Sequence, residues 1–342
     1  HLGDVRGSWV YYASNKRLRS IFDICRKNLE NGKTDILIEG KDAVCLPLCI
    51  SPDEEILLYS RRTSFADLQI YCKNLLTGEE KKVSRDLQCA MEDSPVWLED
   101  GSGFYFISDR EREFKRVMFW DRKTGLTEEI YEVNWDVTHI ALSGQDRYLA
   151  VVVNEDGDSR IHILEAETKR EIHIPQIPLG TIGDEEPVTW SNAGFRLLFS
   201  FESGSRIQNI WLLDAEKGTL EQVTENEDTA VTEDMLTEPV LCRCQSFDGL
   251  EIPYWLYIPK GMPAKNLPVA VYIHGGPESQ IRRFYEETIQ YLVSEGIAVA
   301  APNVRGSSGY GKTYLDLDNK EKRLDAVKDI EALVEHLTET KT

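Results

Sequence analysis

The residues best suited to chemistry sit in two glycine-rich loops. The first is His274-Gly275-Gly276-Pro277, directly after the apolar run Leu267 to Ile273. Acyl transfer needs backbone N–H groups aimed at the oxygen that gains charge in a tetrahedral intermediate. Glycine lets the backbone come that close and adopt dihedrals closed to other residues. The backbone N–H of Gly276 is therefore the candidate donor. His274 is its neighbour on the loop, and Pro277 fixes the exit without adding an N–H of its own. Read alone, the same four residues also describe a tight turn with a structural histidine. The second loop, Asn303-Val304-Arg305-Gly306-Ser307-Ser308-Gly309-Tyr310-Gly311, follows another apolar run, Ile297 to Pro302.

A nucleophile and a base are harder to find. A strand-to-helix elbow would read Gly-x-Ser-x-Gly, and the chain has no such pentapeptide; Gly306-Ser307-Ser308-Gly309 has the wrong spacing. The six histidines are His1, His139, His162, His173, His274 and His336, and none is placed as the general base of a triad. The seven cysteines form no pair of CxxC motifs, so the sequence predicts no zinc site, no other metal and no cofactor. An odd number of scattered thiols reads as reduced cysteine in a cytoplasmic protein.

The elements around the loops read as an α/β sheet. Val240 to Pro259 contains two strands joined at Asp248-Gly249, a hairpin signal. The two apolar runs lack alternation, as strands covered on both faces do. Between them a helical segment, Phe284 to Glu295, stops at Gly296, and a second helix is predicted from Glu321 to Leu337 with Leu324, Val327, Ile330, Leu333, Val334 and Leu337 as its apolar stripe.

Upstream, from Gly7 to Thr224, the chain repeats itself. One copy runs Ser51-Pro52-Asp53, strand Ile56 to Ser60, strand Leu68 to Tyr71, then Leu76-Thr77-Gly78. Others centre on Phe104 to Ser108 with Val117 to Asp121, on Tyr148 to Val153 with Arg160 to Leu164, and on Arg196 to Ser200 with Ile210 to Asp214; an earlier copy begins at Trp9. The period is about 45 residues, the length of a four-stranded propeller blade. About five blades are expected, because a single small sheet cannot bury both of its apolar faces but a stack of them can. The division falls at 1–238 for the blades and 239–342 for the α/β part.

Composition narrows the partners. Basic residues number 39 against 59 acidic, a formal charge of −20, which argues against nucleic acid. No apolar run has the length of a membrane helix, so no membrane partner is expected.

Together the His274 loop, the Asn303-x-Arg305-Gly306-Ser307-x-Gly309-Tyr310-Gly311 loop, the Asp248-Gly249 hairpin and the blades resemble the prolyl oligopeptidase family of serine peptidases, in particular its acylaminoacyl-peptidase branch. The resemblance is strong from Ser246 to Leu337 and weak over the blades. It implies a propeller followed by the N-terminal part of an α/β-hydrolase domain, a short peptide as substrate, and a Ser-Asp-His triad. It implies that Gly276 donates to the oxyanion, that His274 stands where other branches place a tyrosine, and that Arg305, Gly306, Gly309 and Tyr310 are structural and close to the site. In the family the serine, acid and base follow the second helix, so the 342 residues alone are expected to be inactive. The expected cover for the open side of the sheet is either a following segment or a second copy of the chain. Glu185-Glu186 resembles an amino-terminus-binding pair only in being adjacent, and reads as a solvated loop. Two alternatives stay open: a non-catalytic propeller module with a vestigial hydrolase half, and an esterase.

Overall fold

In the computed structural model, residues 2–41, 43–64, 67–84, 89–183, 188–226, 231–276 and 278–341 are described. Pro277 and the Glu185-Glu186 pair lie outside them. The repeat becomes a series of antiparallel sheets. Leu2–Arg6, Trp9–Leu18, Ile21–Asn28 and Thr34–Ile38 form the first, in sequence order. Val44–Ile50, Ile56–Ser64, Asp67–Asn74 and Glu80–Lys82 form the second; Glu92–Trp97, Gly103–Ser108, Arg116–Asp121 and Thr127–Tyr131 form the third. The next sheet spans Asp136–Leu142 to Glu171–Ile172, and the fifth runs from Thr181–Ile182 to Thr219–Gln222.

The chain divides into two compact units, 1–151 with 164–171, and 152–163 with 172–342. In the first unit, neighbouring sheets bury one another's faces. Ile56, Leu58 and Ile70 pack with Trp97, Phe104, Phe106 and Trp120, and Tyr11 and Ile24 pack with Ile50, Leu57 and Tyr59. Each fully buried large side chain contributes about 1.5–3 kcal/mol, which a sheet standing alone could not recover.

The glycine turn of the repeat has a mechanism. Asn28, Asn74, Asp121 and Asp214 each accept, through side-chain oxygen, the N–H of the residue three positions on, at 3.0, 2.8, 2.7 and 2.9 Å. The next residue closes the turn in the left-handed region: Gly32, Gly78, Gly125 and Gly218 have φ of +74°, +77°, +63° and +63°. The fourth copy keeps that conformation without glycine, since Lys169 has φ +59°. Left-handed backbone costs an L-residue about 1–2 kcal/mol. Lys169 also pairs with Glu128 at 2.5 Å, both side chains being 42% or more exposed, and such a pair contributes little. Lys169→Gly is therefore expected to stabilise the chain by about 0.5–1 kcal/mol, read as an upward shift of the urea midpoint; a destabilised variant would mean that the ion pair outweighs the strain.

The second unit contains a four-stranded sheet in the spatial order Val240–Gln245, Glu251–Tyr257, Ala298–Pro302, Val269–Val271. The first two pairings are antiparallel, and Val269–Val271 lies parallel to Ala298–Pro302. Helix α1 (Glu287–Ser294) joins the parallel pair; α2 (Gly311–Leu315) and α3 (Asp325–Thr340) follow. Residues alternate between the two faces. Trp255, Tyr257, Val299 and Ala301 pack on Ile289 and Val293 of α1. Ile252, Tyr254 and Ala300 pack on Leu333 and Leu337 of α3. Helix α1 ends as the sequence predicts, with Gly296 at φ +82°.

The stripe predicted for α3 needs correction. Its buried positions are Asp329, Leu333 and Leu337, whereas Leu324, Val327 and Val334 are 71%, 58% and 47% exposed. Val334 instead lines an open groove with Val269 and Val271, because those strand residues lie at the edge of the sheet. Among the described residues, no helix is long and apolar enough to cross a membrane.

Candidate active site

Gly276 lies in an exposed turn just beyond the end of Val269–Val271. Its φ is +64°, a conformation that explains the glycine. Among the described residues, a Cβ built there meets only Ser279 Cβ, at 3.7 Å, so dihedral and not space restricts the position. The turn is closed by Ser279 N–H donating to Gly276 O at 2.7 Å.

His274 is tied to the second loop. Its Nε2 lies 3.0 Å from Ser307 Oγ, and Ser307, fully buried, donates its hydroxyl to Val304 O at 2.7 Å. With the hydroxyl proton so placed, Oγ is the acceptor and Nε2 carries the hydrogen. Burial lowers the pKa of His274, which favours this neutral ring. Its Nδ1 is 3.4 Å from Gly275 O, a contact that would need the other tautomer. We assign the Nε2–H form, because the Ser307 bonds are shorter. In that state His274 is a clamp on the loop and not a mobile base.

The two loops are joined further along. The carboxamide of Asn303 receives Ile281 N–H at 2.7 Å and donates to Ile281 O at 2.9 Å and to Tyr310 Oη at 3.1 Å. Ser308 N–H donates to Ser279 O at 3.1 Å. Tyr310 is held in its neutral phenol form by burial, its pKa pushed up to about 12. Gly309 (φ +86°) has no room for a Cβ, which would sit 2.4 Å from Gln280 Oε1 and 2.7 Å from Asn154 Nδ2. Gly306 (φ +92°) is closed in the same way by the carboxylate of Asp318.

Arg305 points into a different set of partners. Its Nη1 and Nη2 each donate to Asp248 at 2.9 Å, its Nε and Nη2 to Asp329 at 3.0 and 2.8 Å, and its backbone N–H to Asp329 at 2.9 Å. Burial works against the charge on Arg305, but the bonds to Asp248 and Asp329 outweigh it and raise the pKa. Arg305 thus straps the loop to the Asp248 hairpin and to α3.

The same guanidinium depresses Asp248, whose pKa falls from 3.8 to about 2. A depressed carboxyl contributes stability above its unfolded pKa and loses it as pH falls through the folded one. The Asp248 contribution is expected to fade between pH 3.8 and about 2, and to be small because the side chain is 41% exposed. Urea midpoints of wild type and Asp248→Asn should converge over that window; a constant gap would refute the assignment.

Sequence reading located both loops but missed Ser307, Gln280, Asn154 and Asp329 as their fasteners. Asp329 alone left a signal, a charged residue in register with Leu333 and Leu337.

A sheet in this order, with a glycine turn after its parallel edge strand and repeated four-stranded sheets before it in the chain, is the fold of propeller blades followed by the N-terminal part of an α/β-hydrolase domain. Residues 283–342 match the model of the prolyl oligopeptidase family. The uncharacterized peptidase YuxL of Bacillus subtilis (strain 168) is 32% identical over 227 residues, 66% of this chain and 27% of that protein. Dipeptidyl-peptidase 5 of Porphyromonas endodontalis is 26% identical over 168 residues, 46% of this chain and 23% of its own length. The crystal structure of a puromycin hydrolase superposes with a TM-score of 0.85 at 19% identity, covering 100% of this chain and 56% of that one. A prolyl endopeptidase structure gives 0.82 at 17% identity, covering 97% and 50%. The likeness to the prolyl oligopeptidase family is thus carried by residues 283–342, and the curated relatives that the chain resembles are peptidases. The chain spans 27% of the first curated relative and 56% of the first solved one.

Proposed function

We propose that this chain supplies the propeller and one oxyanion donor of a serine peptidase that cleaves short peptides, of the acylaminoacyl-peptidase or oligopeptidase type. The observation that carries the reading is the Gly276 turn: an exposed, left-handed glycine at the end of a parallel strand, anchored through His274 to the second loop. In this reading a serine attacks the scissile carbonyl, a histidine moves the proton, an aspartate orients the histidine, and the Gly276 N–H takes the charge on the oxygen. The 342 residues hold no Gly-x-Ser-x-Gly elbow, so the chain by itself is inactive. Seven cysteines outside any disulfide suit a reducing compartment, the cytoplasm. The open edge at Val269–Val271 is covered by further chain or by a second copy.

The test offers the full gene product N-acetylated aminoacyl, free-amino dipeptidyl and blocked proline anilides beside simple esters. Cleavage of acetylated or blocked peptides, abolished by a serine-directed inhibitor, is expected. Turnover of esters alone would replace this reading with an esterase, and no turnover would favour a binding module.

A further inference from the structure

The turn that carries Gly276 is held at its far end by a blade hairpin. The hairpin residues 152–163 belong to the same compact unit as the hydrolase sheet. Asn154, 4% exposed, donates from Nδ2 to Gln280 Oε1 at 2.6 Å. Its own Oδ1 accepts Gly157 N–H at 3.0 Å, which orients the carboxamide. Asp158 receives Arg283 Nε at 2.7 Å and Nη2 at 3.3 Å. Ser159 Oγ accepts from Arg282 Nη2 at 2.8 Å, and Gly157 O accepts the Arg283 N–H at 3.3 Å. The guanidinium of Arg283 also stacks on Trp255, 4.7 Å from the ring centroid. Every residue in Gln280–Arg283 is thereby tied down, Ile281 by Asn303 and the other three by the hairpin.

Between Gly276 and Gln280 the chain has only Pro277, Glu278 and Ser279. Ser279, next to Gln280, donates its N–H to Gly276 O at 2.7 Å, and through this bond a displacement of Gln280 reaches Gly276. The amide pair is also seated against Gly309, where a side chain would collide with both of its members.

We propose that Asn154 is a positioning residue for the Gly276 N–H: the blade hairpin, through the buried Asn154–Gln280 amide pair and with Asp158–Arg283 as its anchor, sets where the oxyanion donor stands. The inference rests on the proposed function for the role given to Gly276. The pinning itself depends only on geometry.

Two measurements keep these apart. In the 342-residue chain, hydrogen exchange over 274–283 is compared among wild type, Asn154→Ala and Gln280→Met, the latter keeping length without an amide. Exchange about tenfold faster in that segment, with 298–302 unchanged, is expected for local release. Unchanged exchange in both variants overturns the proposal, and Gln280→Met decides the matter if Asn154→Ala does not fold. In the full gene product each variant should lower kcat about tenfold or more with KM within about twofold, as misplacement of a catalytic group does. The double variant should be no worse than the worse single one, because both remove one device. A raised KM with unchanged kcat, or multiplying losses, overturns the positioning role. A gene product that turns over no peptide or ester sinks the functional reading, while the exchange result still decides the pinning.

Discussion

Asp329→Ala is expected to cost about 3–5 kcal/mol, the usual penalty for stranding one half of a buried ion pair. Asp329 is fully buried and Arg305 is 4% exposed. The carboxylate accepts the Arg305 side chain at 2.8–3.0 Å, the Arg305 backbone N–H at 2.9 Å and the Ser246 hydroxyl at 2.6 Å. Alanine would leave a guanidinium, a hydroxyl and an amide without their acceptor at the heart of the α3 contact. Asp248 and the Phe247 ring, 4.8 Å from Arg305, remain as partners. Both lie toward solvent and offset only part of the loss. The cost should appear as a lower opening free energy for the amides of α3, measured by native-state hydrogen exchange. Arg305→Lys should fall between, because an ammonium cannot serve two carboxylates in a planar fork. A change below about 1 kcal/mol for Asp329→Ala would show that the network is dispensable.

The second large effect is on chemistry. Gly276→Ala in the full gene product should lower kcat by about 10²–10³-fold, the loss typical of one oxyanion donor. KM should change little, since the donor acts on charge that develops in the transition state. The added methyl has space, with Ser279 Cβ at 3.7 Å as its neighbour, so the fold should tolerate it. The dihedral is the difficulty. At φ +64° alanine is strained by about 1–2 kcal/mol, and the turn relieves this by rotating the peptide that carries the N–H. An unaltered kcat would remove Gly276 from the mechanism. A collapse in stability would place its importance in folding.

Much of the architecture could be read from the chain because its signals are local. The middle strands of each blade, such as Phe104 to Ser108, are continuous apolar runs, and the Asn/Asp-to-Gly turns repeat. The outer strands escaped notice for the opposite reason. Glu80–Lys82 is entirely charged and Thr219–Gln222 nearly all polar; their pairing is fixed by neighbours and leaves no periodicity of its own. The two glycine loops were visible as motifs, but their fasteners are contacts at long sequence separation. Asn154 meets Gln280 across 126 positions and Ser246 meets Asp329 across 83. No local pattern encodes such pairs. The α3 stripe misled because apolar spacing alone does not tell a covered face from one beside an open sheet edge.

The most direct test of the central claim is intact-mass spectrometry with a fluorophosphonate serine-hydrolase probe, applied to the 342-residue chain and to the full gene product. A single adduct on the full product and none on the 39.1 kDa chain is the predicted result, with Gly276→Ala slowing the labelling of the full product. An adduct on the 39.1 kDa chain would contradict the account, since the nucleophile would then lie among residues assigned here to scaffold and oxyanion loop.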